Sequence, residues 1–181
     1  ALMMQNANQE NLAINVSECV SVYQAMGRTT GYITAAARLS DPKRENPLLM
    51  FFTETGANLE FIAEKVNEQL KKTKRCIVVV NEGLDVGDIE AKHDGFGHIE
   101  YAASGSSAMQ SVVNYLNSMK LNARGQATGQ IPGCMQRSVS IYASTIDIDE
   151  ALQLGRHAVR VAMETGTGYM STLLRHPGEE Y

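Results

Sequence analysis

Met26-Gly27-Arg28, running on into Thr29-Thr30-Gly31, sets a residue without a Cβ and a fixed positive charge at one joint. The joint lies between an apolar run, residues 20–25, and an alanine-rich helical pattern over about residues 30–39. Such a joint can take an anion. Amides at a helix start point outward unpaired, the helix dipole adds partial positive charge, and glycine lets a ligand approach the backbone. On that reading the corner handles phosphate. The plainer reading gives the glycine to a turn and leaves the arginine in solvent.

Ligands of open α/β sheets collect beyond the carboxyl ends of the strands, which directs attention to two further ends. One is Thr53-Glu54-Thr55-Gly56; the other is Asn81-Glu82-Gly83, directly after Cys76-Ile77-Val78-Val79-Val80. A carboxylate at such a mouth can accept sugar hydroxyls, or it can cap nearby amides, and for Glu54 and Glu82 both roles stay open. Residues 122–138, NARGQATGQIPGCMQRS, carry Arg124 and Arg137 on glycine-rich connections. Guanidinium groups match phosphate oxygens bidentately, so the pair suits a clamp on a phosphorylated ligand, although either arginine also suits a surface ion pair.

Other chemistry is less well supported. His93 and His98 flank Asp94-Gly95-Phe96-Gly97, but without a third ligand at metal spacing a tight turn is expected. His157 and His176 read as structural or solvated, and the dispersed methionines as core filling. No GxGxxG follows a strand, and GxxxxGK[ST] and GxSxG do not occur, which lowers dinucleotide, P-loop and esterase readings.

The elements that must position these residues alternate along the chain. Apolar runs at residues 20–25, 47–53 and 75–81 are separated by helical patterns at about 30–39 and 58–72, the latter carrying Leu59, Ile62, Val66 and Leu70 at helical spacing. Continuous apolar strands between helices predict an α/β fold of three layers, a mainly parallel sheet with helices on both faces. A short hairpin strand is expected at 98–102 and a helix at 107–119; residues 121–130 and 138–143 are less regular. A helix opening on Asp147-x-x-Glu150, with Ala151, Leu154, Ala158 and Val161 beneath it, precedes a final strand at 169–174. The opening residues 1–16 are polar with a helical scatter of apolar positions.

At 181 residues the chain is expected to form a single domain, 1–181. A net charge of −4 with interspersed signs, and no basic run beyond Lys71-Lys72-Thr73-Lys74-Arg75, argue against nucleic acid. Cys19, Cys76 and Cys134 show neither CxxC nor CxH spacing, which fits a reducing cytoplasm. No apolar run approaches the ~20 residues that span a bilayer, and no charged-then-apolar leader is seen, so a soluble protein without membrane contact is expected.

Met26-Gly27-Arg28 after a strand, Val78-Val79-Val80-Asn81-Glu82-Gly83 about fifty residues on, and Gln136-Arg137 in a glycine-rich segment occur in an order that resembles one family. The resemblance is to the C-terminal, sugar-phosphate-binding part of 6-phosphofructokinases, from roughly Cys19 to Arg175. Gln136-Arg137-Ser138, Ala143-Ser144-x-x-Asp147 and Asp94-x-Phe96-Gly97-His98 look more like the diphosphate-dependent branch than the ATP-dependent one. The resemblance implies that Met26, Gly27 and Arg28 contact fructose 6-phosphate near the reacting hydroxyl, with Arg28 in a catalytic role. It implies that Glu82 accepts sugar hydroxyls and that Arg137 binds the 6-phosphate. It also implies that Arg124, allowing a small insertion, reaches across a subunit interface; ungapped counting puts Thr128 there. Cys134 stands where the family often has histidine, and Cys19 where it has an interface arginine.

The family's Gly-Gly-Asp donor loop, its catalytic aspartate in a TxDxD-type motif and its metal ligands have no counterpart in these residues. The resemblance therefore implies a chain that holds the acceptor sugar and lacks the donor site. Phosphoryl transfer needs charge stabilisation on both sides of the phosphorus, so no turnover is expected without the missing N-terminal half. For the intact glycolytic enzyme it implies diphosphate or ATP as donor, Mg2+, and a homo-oligomer, dimer or tetramer. Two competing readings are a non-catalytic sugar-phosphate-binding module and an independent α/β enzyme using Glu54 or His98 as base.

Overall fold

Cys76-Ile77-Val78-Val79-Val80 becomes the middle of a parallel sheet because an unbroken β-branched run can bury both of its faces. The computed structural model describes residues 1–87, 107–174 and 176–178. They divide into two compact units, Ala1–Ser138 and Val139–Tyr181.

In the first unit the elements run α1 (Leu2–Ile14), β1 (Val20–Ala25), α2 (Tyr32–Ala36), β2 (Leu48–Phe51), α3 (Leu59–Thr73), β3 (Cys76–Asn81), α4 (Ala108–Ser118), β4 (Ala127–Gln130) and α5 (Cys134–Ser138). The sheet order is β2-β3-β1-β4 and every pairing is parallel. Val20 lies opposite Cys76 and Ala25 opposite Asn81, so β1 and β3 end side by side. Alternate residues of these strands point to opposite layers. Val20, Val22, Val78 and Val80 pack with Ile62, Val66 and Leu70 of α3 and Val112 and Leu116 of α4. Tyr23, Ile77 and Val79 pack with Met4 and Ala7 of α1 and with Ala37. The expected three-layer, parallel α/β architecture is the one found.

Helix α3 starts where Asn58 Oδ1 accepts the Phe61 amide, at 2.9 Å, and ends at Lys74 in the left-handed conformation. The helix read at 30–39 is split: α2 holds five residues and a 3-10 turn, Ala37–Ser40, follows. Helix α1 docks through polar contacts as well as through Met4 and Ala7. Buried Asn11 donates to Ser21 Oγ at 3.0 Å, and Arg75 donates to Asn8 and Asn11. Tyr23 donates to Glu10 at 3.2 Å, and burial with that carboxylate pushes its phenol well above the ordinary range. Strand β4 lies within the stretch read as irregular; its residues, Ala-Thr-Gly-Gln, carry no β-branched run, and pairing with β1 makes the strand.

The second unit is built on α6 (Thr145–Glu164). Its cap is Ser144, whose hydroxyl accepts the Asp147 amide, so the helix starts a turn ahead of the expected Asp147/Glu150 box. Residues 169–174 are not a strand: two glycines with positive φ, Gly166 and Gly168, precede them, and the run has no paired neighbour among the described residues. Ile148, Leu152, Val159 and Met163 recur along one side of α6 and all are exposed. The hairpin strand read at 98–102 and the turn between His93 and His98 lie outside the described residues. Among the described residues no helix is long and apolar enough to cross a membrane.

Candidate functional site

Because β1 and β3 are parallel neighbours in register, the residues after Ala25 and Asn81 emerge together. The Glu82 amide donates to the Ala25 carbonyl at 3.0 Å, continuing the ladder one step past the strand. Beyond it the β1 chain turns at once. Gly27 has φ +139° and Arg28 φ +48°, and Thr30 closes the turn by donating its amide to the Gly27 carbonyl at 2.9 Å. Arginine is an uncommon residue in the left-handed region, so its neighbours must hold it there.

Glu82 is one of those neighbours. Its Oε1 accepts the Gly27 amide at 3.0 Å and the Arg28 amide at 2.7 Å, both charge-assisted hydrogen bonds. Oε2 accepts none from the described residues. Gly83 follows because nothing larger fits: a Cβ there would stand 2.1 Å from the Arg28 carbonyl oxygen. Buried Asn81 donates Nδ2 to the Thr30 carbonyl at 2.9 Å, while its Oδ1 accepts the Gly83 amide at 2.9 Å and the Thr53 hydroxyl. The β2 end is thereby joined to the same cluster. From that end Glu54 reaches over to accept the Gly31 amide at 2.7 Å.

The Gly27, Arg28 and Gly31 amides of the corner are therefore not free for an anion. The protein's own carboxylates, Glu82 and Glu54, occupy them, and α2 is too short to develop a sizeable dipole. Capping is what both glutamates do in the structure. Any positive charge offered to a ligand here comes from guanidinium groups. Arg28 and Arg137 are exposed, and neither makes an ion pair among the described residues.

Gln136 joins the second arginine to the cluster. Its Oε1 accepts the Met26 amide at 3.1 Å across 110 positions of sequence, which brings α5, and Arg137 on it, to the end of β1. Met26, Gly27, Arg28, Glu82 and the Arg137 segment thus meet at one end of the sheet. Arg124 does not join them. It sits in the turn before β4, where Gln126 donates to the Ser17 carbonyl ahead of β1. That is the amino end of the sheet, about 20 Å away at ~3.3 Å per residue of β1. Thr128 donates to Glu18 at 2.7 Å, and Cys19 is fully buried, its thiol pushed up by that burial, so position 19 offers no charge to a ligand.

Asn81, Gln136 and Thr53 stand inside motifs that the sequence brings forward, but no role of their own is expected of them there. The available signal was a carboxamide closing an otherwise apolar strand, and a glutamine beside the arginine of α5.

The Gly31 amide holds the Glu54 carboxyl below the ordinary carboxylate range. With a depressed folded value, the charged hydrogen bond is fully present above the ordinary carboxylate pKa and is lost as pH falls through the folded one. An NMR titration of the Gly31 amide shift is expected to show a midpoint below about 4.3, and Glu54→Gln to abolish it. A midpoint at or above that value contradicts the contact.

Among the described residues no group of three or more His, Cys, Asp or Glu side chains is placed to hold a metal ion.

A family model described as Phosphofructokinase matches residues 3–162. The chain is 29% identical over 162 residues to a pyrophosphate–fructose 6-phosphate 1-phosphotransferase of Rhodospirillum rubrum, covering 83% of this chain and 39% of that protein. It is 29% identical over 171 residues to the enzyme of the same name from Methylococcus capsulatus, covering 91% and 39%. The crystal structure of a pyrophosphate-dependent phosphofructokinase from Nitrosospira multiformis superposes with a TM-score of 0.67 at 25% identity, over 91% of this chain and 38% of that one. The chain spans about two fifths of the length of these relatives.

Proposed function

The chain belongs to the phosphofructokinase family, and we propose that it is the fructose 6-phosphate-holding part of a diphosphate-dependent member. In the complete enzyme a phosphoryl group passes from diphosphate to the sugar's 1-hydroxyl, a step of glycolysis in the cytoplasm. The observation that carries the reading is the meeting of Met26-Gly27-Arg28, Glu82 and the Gln136-Arg137 segment at one sheet end. Diphosphate is favoured over ATP by the names of the relatives.

The division of labour follows from the atoms. Glu82 commits Oε1 to the Gly27 and Arg28 amides and keeps Oε2 for sugar hydroxyls. The same bonds fix the backbone that carries Arg28, so its guanidinium is pre-set against the charge that develops on the transferring phosphoryl group. Arg137 takes the 6-phosphate, remote from the reacting hydroxyl, and binding energy there aligns that hydroxyl. Arg124, at the other end of β1, serves a site shared with a second copy in a homo-oligomer.

The donor side and its magnesium belong to the portion of the relatives' length that this chain does not span, so the 181-residue chain binds the sugar phosphate without turning it over. The exposed apolar side of α6 suits burial against that portion. A non-catalytic sugar-phosphate module is the second reading, favoured by the same coverage.

Calorimetry on this chain tests the binding half. Fructose 6-phosphate is expected to bind at one site, at least about tenfold tighter than inorganic phosphate. With diphosphate and Mg2+ added, no fructose 1,6-bisphosphate should form. Absence of saturable binding refutes the acceptor-site reading; turnover refutes the missing donor site.

A further inference from the structure

Asn81 is wholly buried at the end of a strand whose other residues are apolar, and its carboxamide serves three different loops. Nδ2 donates to the Thr30 carbonyl after β1, and Oδ1 accepts the Gly83 amide after β3 and the Thr53 hydroxyl after β2. The packing is close: a Cβ at Gly27 would come 3.1 Å from Asn81 Nδ2, and one at Gly83 would come 3.3 Å from its Oδ1.

The turn so held is a strained one, with Arg28 at φ +48°. Glu82 fixes that turn through its amides; Asn81 fixes it through the Thr30 carbonyl, and joins Thr53 and Gly83 to it. Buried polar groups arranged this way hold a single geometry only while each bond is made. We infer that Asn81 is a positioning residue, which touches no ligand and sets the Gly27–Arg28 turn, and with it Arg28 and Glu82, in the geometry that a sugar phosphate meets. The ligand part of this inference rests on the acceptor-site reading above; the positioning part does not.

Asn81→Asp is the sharpest test. It keeps an acceptor for Thr53 and Gly83 and sets a second acceptor against the Thr30 carbonyl, so one arm of the clasp breaks and the side-chain shape is kept. Thr53→Val removes only the hydroxyl arm, from outside the ligand-facing residues, and decides the matter by the same pattern if the aspartate variant does not fold. Both are made in the 181-residue chain, with amide hydrogen exchange and calorimetry as readouts.

In Asn81→Asp, exchange at Gly27 and Arg28 is expected to rise at least about tenfold while Val78 stays unchanged, and fructose 6-phosphate affinity to fall at least about tenfold. Thr53→Val should show the same pattern more weakly. Unchanged exchange at Gly27 and Arg28 overturns the inference, and so does equal acceleration throughout the sheet, which marks a merely structural asparagine. Affinity that stays at the wild-type value while those two amides loosen overturns it as well. If the unsubstituted chain binds no fructose 6-phosphate, the acceptor-site reading fails, and the exchange pattern alone decides for or against Asn81 as the clasp.

Discussion

Gly83→Ala is expected to remove both the site and a large share of the stability of the first unit. The added Cβ would stand 2.1 Å from the Arg28 carbonyl oxygen, a backbone atom that no rotamer change can move aside. Either the β3 end or the Gly27–Arg28 turn must shift, and a shift of either stretches the two Glu82 hydrogen bonds. Overpacking costs about 1–3 kcal/mol, and loss of a hydrogen bond to a charged group adds about 1.5–3, so a loss of ~3 kcal/mol or more is expected in urea unfolding. Gly155→Ala is the control. Gly155 lies within α6 with nothing within 4 Å of its would-be Cβ, so alanine there should raise helicity and stability by about 0.5–1 kcal/mol. A Gly83→Ala chain as stable as wild type would mean that the two strand ends do not meet as described.

The second large effect is a split between the two arginines, read in a complete enzyme that includes this chain. On the roles proposed above, Arg28→Ala should lower kcat by about 10²–10³ with little change in KM, since a charge used where charge develops in the transition state acts on turnover. Arg137→Ala should raise the KM for fructose 6-phosphate by about 10–100-fold and change kcat less, as loss of a charge-assisted phosphate contact does. Steady-state kinetics with fructose 6-phosphate varied decides between them, and the reverse pattern refutes the assignment.

Much of the frame was legible because burial on both faces leaves a plain signature. Strands β1 and β3 needed only their apolar runs, and α3 only the spacing of Leu59, Ile62, Val66 and Leu70. Strand β4 was not legible, since Thr128 is its one β-branched residue, beside Gly129, and the strand exists through pairing with β1. Residues 169–174 failed in the opposite way: a run of Tyr169, Met170, Thr172, Leu173 and Leu174 reads as a strand, but strand structure needs a partner ladder.

In the site, Arg28 and Glu82 stand just past the ends of β1 and β3, where the apolar runs of the sequence put them, because topology dictates where strand ends go; Arg137 was read only on a glycine-rich connection. Spacing along the chain could not show that Glu82 caps the corner's own amides. Nor could it show that Arg124 lies at the far end of β1, or that Gln136 reaches Met26 across 110 positions. Those facts depend on register and turn geometry, which a one-residue change would alter.

The most direct measurement is a crystal structure of the 181-residue chain soaked with fructose 6-phosphate. The predicted result places the 6-phosphate on the Arg137 guanidinium and sugar hydroxyls on Glu82 Oε2, with the 1-hydroxyl end toward Arg28 and the Glu82 Oε1 bonds to Gly27 and Arg28 intact. Sugar phosphate bound at any other surface, or bound here with Arg28 and Arg137 on separate faces, would contradict a single hexose monophosphate site at the ends of β1 and β3.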